Sequence, residues 1–348
     1  MKVILDCRLV SSNPTGISRF STHYANFIIN YYGSNNVIII TNGDSFPHDC
    51  LEYKISLKPF NLLHMFLFGF FIKKIDGDIY ISFQYSSFLF KPKKLRVITT
   101  VHDLMFYLVP NFFGSKIKSI LGKLYYSFIV KRSLEVSDEI FSVSKTTAND
   151  ISTIYNLNSI VTGEGLFLEN YESLYFYKKI GLIKQKYFLY IGNNRPHKNV
   201  EILIQAFNEF LKVNLDFKLV LVGHKGESNE YVIYTGYLDD TEIVNLYKNA
   251  KAFVFPSVYE GFGLPILEAF SFNCPVIASD ISAFREFECD SIKYFSPEST
   301  TDLISALSSD IQFSSNSKYR EVMVRQGWSS THCVLNDYFD GLKTSNIT

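Results

Sequence analysis

The sequence predicts an α/β protein built from two doubly wound, Rossmann-like domains with parallel sheets. Short apolar runs typical of strands alternate with segments of helical periodicity throughout the 348 residues. This alternation occurs twice, and the regularity fails between residues 160 and 186. A chain of this length with 47% hydrophobic residues can bury two cores of ordinary size. We therefore expect two domains of similar architecture.

Ten apolar runs are predicted as strands, five in each half of the chain. They are residues 2–5, 36–41, 79–83, 96–101 and 139–143, followed by 187–191, 218–222, 232–235, 252–255 and 275–278. The predicted domains are residues 1–165 and 186–327, with an interdomain connection over 166–185 and a last helical segment over 328–348.

The composition favours a globular protein without nucleic-acid partners. Residues 1–170 carry 17 Lys+Arg against 13 Asp+Glu, and residues 171–348 carry 17 against 21, so the halves are +4 and −4. This asymmetry is too small for nucleic acid but compatible with an N-terminal half that contacts an anionic membrane. Five scattered cysteines and a polar start that does not resemble a signal peptide favour a reduced, cytoplasmic setting.

Two apolar segments of the first half bear on membrane contact. Residues 60–72 are the most apolar run, but 13 residues are too few to cross a bilayer, so we expect a buried helix. Residues 116–132 mix lysines with apolar side chains at helical spacing. That pattern fits an interfacial helix, and it equally fits a core helix with one solvated lysine face.

The most informative segment is residues 252–279, where a buried strand is followed by a glycine turn and a helix. Glu260 and Glu268 are eight residues apart around Gly261 and Gly263, and Pro265 suits the start of a helix. Backbone N–H groups at a helix start favour anions, so a sugar diphosphate would suit this place. The simpler interpretation is a helix with two solvated carboxylates.

This segment resembles the Glu-x7-Glu signature of the family-4 retaining glycosyltransferases. The resemblance implies the GT-B fold, in which two Rossmann-like domains face a central cleft and the last helix returns to the N-terminal, acceptor-side domain. It assigns Glu268 to the ribose hydroxyls of a nucleotide-sugar donor. It assigns the sugar diphosphate to Glu260 and the loop that follows, namely Gly261, Phe262, Gly263 and Leu264.

Two cations follow the first strand of the second half. Arg195 and Lys198 precede the amphipathic run 201–211, and such cations suit phosphate oxygens and the charge on a departing diphosphate. The segment resembles the phosphate-clamping element of the same family, and Lys198 matches its lysine. Asn193 stands where the family usually has arginine, which leaves the role of Arg195 open. A solvated basic loop is the alternative.

The first half supplies further candidates by resemblance. Gly16 and Ile17 correspond to a glycine-containing loop that approaches the donor phosphate, although a generic helix entry explains them as well. His102 and Asp103 end a predicted strand, where ligands bind in open α/β sheets. The resemblance gives His102 the donor sugar and Asp103 the acceptor. A packed histidine is the alternative.

Asp76 and Asp78 match the Asp-x-Asp pattern with which another glycosyltransferase class holds a metal ion, but Asp-Gly-Asp is also a typical turn. We interpret it as a turn, and the resemblance likewise implies no metal or other cofactor.

These expectations combine into a retaining, metal-independent hexosyltransferase with His102, Asp103, Arg195, Lys198 and Glu260 in catalytic roles. Its expected acceptor is a lipid-linked saccharide of bacterial surface polysaccharide (O-antigen) synthesis, at the cytoplasmic face of the inner membrane. GDP-mannose is the first expectation for the donor, because the segment from Arg195 to Asn199 resembles mannosyltransferases. A UDP-hexose donor, a non-catalytic nucleotide-sugar-binding subunit and a hydrolysing sugar epimerase are the alternatives.

Overall fold

A computed structural model describes residues 1–11, 15–43, 46, 48–86, 88–168, 176–314 and 317–345. The chain divides into two compact units. The N-terminal unit is Met1–Glu164 with His332–Thr348, and the C-terminal unit is Gly165–Thr331.

The N-terminal unit is a seven-stranded parallel sheet with helices between its strands. Its strands are β1 (Val3–Asp6), β2 (Val37–Thr41), β3 (Leu51–Lys54), β4 (Ile79–Ser82), β5 (Arg96–Val101), β6 (Glu139–Ser142) and β7 (Ile160–Val161). Its helices are α1 (Gly16–Tyr32), α2 (Leu62–Ile72), α3 (Met105–Leu108), α4 (Lys116–Glu135) and α5 (Lys145–Tyr155). The strand order is β3-β2-β1-β4-β5-β6-β7, so the winding direction reverses between β1 and β4.

The C-terminal unit repeats this plan with six parallel strands. Its strands are β8 (Tyr187–Ile191), β9 (Lys218–Val222), β10 (Val232–Gly236), β11 (Ala252–Phe255), β12 (Val276–Ser279) and β13 (Ile292–Phe295). Its helices are α6 (Phe176–Lys179), α7 (Val200–Leu211), α8 (Asp240–Asn249), α9 (Leu264–Ser271), α10 (Ser282–Arg285), α11 (Thr300–Ser308) and α12 (Ser317–Arg325). The order β10-β9-β8-β11-β12-β13 reverses between β8 and β11. The last helix, α13 (Trp328–Ser345), begins in this unit, and its residues from His332 belong to the N-terminal unit.

The central strands are apolar because helices cover them. All four residues of β1 and β11 and all five of β2 are buried. In the C-terminal unit, α7 and α11 pack on the sheet through one cluster that includes Leu203, Phe207 and Leu303. Continuous apolar runs are what a parallel sheet buried on both faces requires. The predicted α/β class with two parallel sheets is confirmed.

Two expectations need correction. The ten predicted strands are present, but β3, β7 and β13 were not predicted, and all three lie at sheet edges. The run over 60–72 does form a helix, but it is not a buried one: five large side chains of α2 are between 40% and 64% exposed. Within the described ranges, the structure has no helix with both the length and the apolar character needed to cross a membrane.

Candidate functional site

The strongest site candidates converge where the C-terminal sheet reverses direction. Strand β8 pairs with β9 on one side and with β11 on the other, so the loops after β8 and β11 diverge from adjacent strand ends. In open α/β sheets this switch point forms a crevice that binds ligands. The two loops also contact each other, since Val258 N–H donates to the carbonyl oxygen of His197 at 2.8 Å.

Lys198 and Glu260 form an ion pair between these loops. Lys198 Nζ donates to Glu260 Oε1 at 2.7 Å, and the two side chains are only 15% and 12% exposed. Ser257 Oγ donates to the same carboxylate oxygen at 2.7 Å. The Lys198 ammonium also lies 5.1 Å from the centre of the Phe255 ring. Lys198 and Ser257 therefore fix the position of the Glu260 carboxylate, and the simpler interpretation of a solvated carboxylate does not apply to this residue.

Glycines shape the loop that leads from Glu260 into α9. Gly263 is the N-cap of α9 with φ of 136°, and a Cβ there would lie 3.0 Å from the ring of Phe287. It has no side chain with which to cap the first-turn N–H groups of α9. Gly261 and Phe262 are buried, and Phe262 packs on Phe287 with ring centres 5.8 Å apart. The helix begins at Leu264, so Pro265 occupies its second position.

Glu268 lies one helical turn inside α9, four residues after its first residue. Its Oε2 accepts a hydrogen bond from the hydroxyl of Tyr247 on α8 at 3.1 Å. Burial, followed by the neighbouring Glu268 carboxylate, raises the pKa of Tyr247 well above its usual value. The phenol therefore stays protonated and donates to Glu268, which fixes the orientation of this carboxylate.

The loop after β8 presents Arg195 at the surface. Its backbone N–H donates to Asn193 Oδ1 at 3.2 Å, and its side chain is exposed. His197 is 1% exposed, and burial lowers its pKa from 6.5 to about 4 even though Glu260 raises it. A neutral His197 thus lies within the loop, while the cations of Arg195 and Lys198 stand on either side of it in sequence.

The N-terminal candidates meet around α1 and the ends of β4 and β5. His102 follows β5, and its Nε2–H donates to the carbonyl oxygen of Phe83 at 3.0 Å. Phe20 of α1 packs edge-on against His102 at 4.6 Å between ring centres. Burial lowers the pKa of His102 from 6.5 to about 4, although the bond to Phe83 raises it. His102 is therefore neutral near pH 7, with the lone pair on Nδ1.

The remaining N-terminal candidates have more ordinary settings. Asp103 Oδ1 accepts from the backbone N–H of Met105 at 3.0 Å, at the start of α3. Thr15 caps α1 by accepting from Ser18 N, so Gly16 and Ile17 are the first residues of that helix. A Cβ on Gly16 would meet no atom of the described residues within 4 Å. The preceding loop residues Asn13 and Pro14 lie outside the described residues.

Asp76 and Asp78 both bind Lys2, just before β1. Lys2 Nζ donates to Asp76 Oδ2 and the backbone N–H of Lys2 donates to Asp78 Oδ2, both at 2.7 Å. In the part of the chain that the structure describes, no group of three or more His, Cys, Asp or Glu residues is arranged to hold a metal ion.

Comparison with known proteins identifies the C-terminal unit. A family model described as glycosyl transferases group 1 matches residues 176–327, which contain Lys198, Glu260 and Glu268. These residues are a glycosyl transferases group 1 domain. Its sheet reversal, held Glu260 and helix α9 are thus features of a glycosyltransferase domain.

Among curated relatives, the O-antigen chain mannosyltransferase B of Escherichia coli is 30% identical over 254 residues, which are 67% of this chain and 65% of that protein. The O-antigen chain mannosyltransferase RfbU of Salmonella typhimurium is 30% identical over 222 residues, which are 60% of this chain and 59% of that protein. The matches thus span about three fifths of the length of these relatives.

Solved structures show the fold. Sucrose-phosphate synthase from Thermosynechococcus elongatus aligns with a TM-score of 0.78 at 16% identity, covering 99% of both chains. The Anabaena protein HepE in complex with UDP-glucose aligns with a TM-score of 0.72 at 14% identity, covering 98% of this chain and all of that one. The GT-B fold is confirmed.

Three residues of the site were not predicted from the sequence. Ser257 contacts Glu260, and Phe255 contacts Lys198. Tyr247 contacts Glu268. Ser257 lies three residues before Glu260, which is a weak signal. Tyr247 lies 21 residues before Glu268 on another helix, and no local pattern connects the two.

Proposed function

We propose that this chain is a retaining glycosyltransferase that moves a hexose from a nucleoside diphosphate sugar to a hydroxyl group of a saccharide acceptor. The observation that carries the proposal is the Lys198–Glu260 pair, held at the β8/β11 reversal beside the N-terminus of α9. It joins a cation suited to phosphate and a carboxylate suited to sugar hydroxyls at one ligand-binding edge.

The donor would replace part of the Lys198–Glu260 hydrogen bond with several hydrogen bonds of its own. Its diphosphate accepts hydrogen bonds from first-turn N–H groups of α9 and from the ammonium of Lys198, with Arg195 as a second, exposed cation. Glu260 then exchanges part of its bond with Lys198 for hydroxyls of the sugar. Glu268, oriented by Tyr247, accepts hydrogen bonds from the ribose hydroxyls.

The transfer breaks the bond between the anomeric carbon and the β-phosphate oxygen and forms a bond from that carbon to the acceptor oxygen. The acceptor proton goes to the departing phosphate oxygen on the same face, which retains the anomeric configuration. The products are a nucleoside diphosphate and a glycoside. Lys198, Arg195 and the α9 amides offset the charge of the diphosphate, so no metal ion is part of this mechanism.

The N-terminal candidates take supporting roles in the proposal. Neutral His102 accepts one hydrogen bond from a donor sugar hydroxyl through the lone pair of Nδ1, and Gly16 and Ile17 approach the donor phosphate. Asp103, which already accepts from Met105 N–H, orients the acceptor with its other oxygen.

We further propose GDP-mannose as the donor and a lipid-linked saccharide as the acceptor, in surface polysaccharide (O-antigen) synthesis at the cytoplasmic face of the inner membrane. The names of the Escherichia coli and Salmonella relatives, both O-antigen chain mannosyltransferases, support this choice. A UDP-hexose donor is the second candidate, since the HepE structure of the same fold holds UDP-glucose.

The two departures from the family pattern have structural explanations and do not favour a non-catalytic subunit. The second departure is Asn273, which stands where members of the resembled family commonly have glycine. Its φ of 55° is a left-handed conformation that asparagine tolerates best after glycine. Asn193 supports its own loop, accepting from Arg195 N–H through its side chain and from the Tyr190 hydroxyl through its carbonyl oxygen.

Thermal unfolding with GDP, UDP, ADP and their sugars tests the donor assignment. A ligand at one hundred times its Kd stabilises the folded state by about 2.7 kcal/mol, so the matching nucleotide should raise the Tm above the others. We expect GDP and GDP-mannose to do so, and transfer to a saccharide acceptor to yield the α-mannoside by NMR. Selective stabilisation by UDP would favour the second candidate. Stabilisation without transfer or hydrolysis would contradict the enzymatic proposal.

A further inference from the structure

Helix α2 exposes apolar side chains that a globular surface normally buries. Five of them are between 40% and 64% exposed, namely Leu63, Phe66, Leu67, Phe70 and Phe71. The opposite side of the helix packs inward through Met65, Phe68 and Ile72. The spacing of three and four residues puts the exposed side chains on a common outer face. Contiguous apolar surface of this kind marks a binding site.

Helix α4 carries a second apolar stripe. Five of its side chains are between 61% and 73% exposed, namely Ile117, Ile120, Leu121, Leu124 and Phe128. They recur at intervals of three and four residues, so they follow one side of the helix for three turns. The carboxyl-terminal part of α4 packs into the unit through Ile129, Val130 and Leu134.

The two stripes belong to one surface. Met65 of α2 and Ile129 of α4 share a buried cluster with Leu89. Phe90 lies between the helices and is 70% exposed. A Cβ on Gly69 of α2 would lie 3.0 Å from the Phe90 carbonyl oxygen, and the Arg132 guanidinium of α4 lies 5.7 Å from the Phe90 ring centre. We call the exposed side chains of α2, Phe90 and α4 the apolar face.

The surroundings of the apolar face are positively charged. Residues 104–134 contain no Asp or Glu and carry Lys116, Lys118, Lys123, Lys131 and Arg132. Glu135, the last residue of α4, pairs with Lys131 and Arg132 at 3.9 and 3.5 Å, so the excess of positive charge lies at the amino-terminal part of the helix. Beyond the end of α2, a cavity of about 670 Å³ is lined by Lys73, Lys74, Lys91, Lys93 and Lys94, together with Asp76. Lys73 also lies 5.5 Å from the Phe70 ring centre, which connects the cavity to the apolar face.

We propose that the apolar face binds the surface of a bilayer that contains anionic lipids. The phenylalanines and leucines enter the boundary between headgroups and acyl chains, and the lysines contact lipid phosphates. The lysine-lined cavity accommodates a headgroup phosphate. Two copies of the chain would not pair well through this surface, because a twofold interface would place its lysines against each other. The inference does not depend on the proposed transferase activity.

Vesicle flotation with purified full-length protein tests the proposal. One vesicle set is phosphatidylcholine, and the other is one part phosphatidylglycerol to two parts phosphatidylcholine. The apolar variant is Phe66→Ser with Phe70→Ser, and its control is Val213→Ser with Leu215→Ser, which are 83% and 68% exposed in the C-terminal unit. The charge variant is Lys116→Gln with Lys118→Gln, and its control is Lys179→Gln with Lys184→Gln, also exposed.

We expect the wild type and both controls to float with the anionic vesicles and to be released by salt. The apolar variant should lose about a hundredfold in partition coefficient, roughly tenfold for each ring withdrawn from the boundary. The charge variant should lose about tenfold on anionic vesicles only. Unchanged circular dichroism and Tm would show that the variants fold.

Equal flotation of the apolar variant and its control would overturn the proposal. So would equal binding of the wild type to both vesicle sets at low salt, since charge would then have no part. A wild type that ignores vesicles but is dimeric by sedimentation velocity, and becomes monomeric in the apolar variant, would assign the apolar face to a second copy instead.

Discussion

The Lys198–Glu260 pair should have a larger coupling energy than an exposed pair of the same geometry. Lys212, directly after α7, and Glu209 in its last turn provide that comparison, because their N–O distance is also 2.7 Å but their side chains are 67% and 52% exposed. The perturbation is a double-mutant cycle in each pair, with Lys→Met and Glu→Gln made singly and together. The cycle isolates the interaction within each pair from the other effects of each substitution.

The expected magnitude follows from distance and burial. Unit charges 2.7 Å apart attract by about 6 kcal/mol at an effective dielectric constant of about 20 and by about 1.5 kcal/mol in water. Desolvation offsets much of this attraction for Lys198 and Glu260, whose side chains keep 15% and 12% exposure. We expect a coupling energy of about 2 kcal/mol at this pair. The control pair should give no more than about 0.5 kcal/mol.

Urea unfolding followed by tryptophan fluorescence is a suitable assay. Trp328 is the single tryptophan of the chain and belongs to the C-terminal unit, where its Nε1–H donates to the carbonyl oxygen of Leu166. Its signal therefore reports the unit that contains both pairs. A coupling energy at Lys198–Glu260 no larger than at the control pair would refute the reasoning, because burial would then not strengthen the inter-loop ion pair.

Bound nucleotide should change the coupling energy of the Lys198–Glu260 pair and leave that of the control pair unchanged. A bound diphosphate competes for the Lys198 ammonium, so the coupling should fall when GDP is present. Glu260→Gln should then bind GDP at least as tightly as the wild type, since the lysine is no longer neutralised, while transfer activity falls. Weaker GDP binding by Glu260→Gln would place the carboxylate in nucleotide binding rather than against the sugar.

Three further outcomes are expected. Glu268→Ala should remove most of the Tm increase that GDP gives to the wild type, whereas Tyr247→Phe should remove less of it; an unchanged increase in Glu268→Ala would contradict the ribose assignment. Transfer should persist in excess EDTA. If EDTA instead abolished transfer, and manganese restored it in the wild type but not in Asp76→Ala, a metal ion would be assigned to Asp76 and Asp78. Acid should destabilise the C-terminal unit, because burial holds the pKa of His197 at about 4 against 6.5 when unfolded. Neutral His197 contributes about 3 kcal/mol to the unfolding free energy above pH 6.5, and this contribution is lost as the pH falls toward 4. His197→Asn should therefore make the unfolding free energy depend less on pH.

The core of the candidate site was predictable because it is local in sequence. A buried strand, a glycine turn and a helix start follow one another between residues 252 and 271, so the chain itself puts Glu260 before the turn and Glu268 one turn inside the helix. The contact between Glu260 and Lys198 spans 62 residues. It was not predictable from spacing, because it requires β8 and β11 to be neighbours, and that follows from sheet order.

The strands likewise divide into those whose sequence predicts them and those whose sequence does not. Those covered by helices on both faces are continuous apolar runs, and each was predicted. Three of the four edge strands were not. Strand β3 reads Leu-Glu-Tyr-Lys with all four residues exposed, and β7 has two residues. Strand β13 exposes Lys293 between buried Ile292 and half-buried Tyr294. An edge strand pairs on one side only and needs no apolar run, so its sequence carries little signal.

Helix α2 shows why an apolar sequence does not determine burial. Ten of its eleven residues are Leu, Ile, Met, Phe or Gly, and a helix that is apolar on every side is normally enclosed by protein or lipid. The sheet covers only the side that carries Phe68 and Ile72, and Phe66 and Phe70 remain exposed. The one polar residue of α2, His64, is buried, so no polar residue marks the outer face and periodicity cannot distinguish the two sides. The same lack of polar residues is unexplained by the fold of the N-terminal unit alone, and it is what a surface that meets lipid requires.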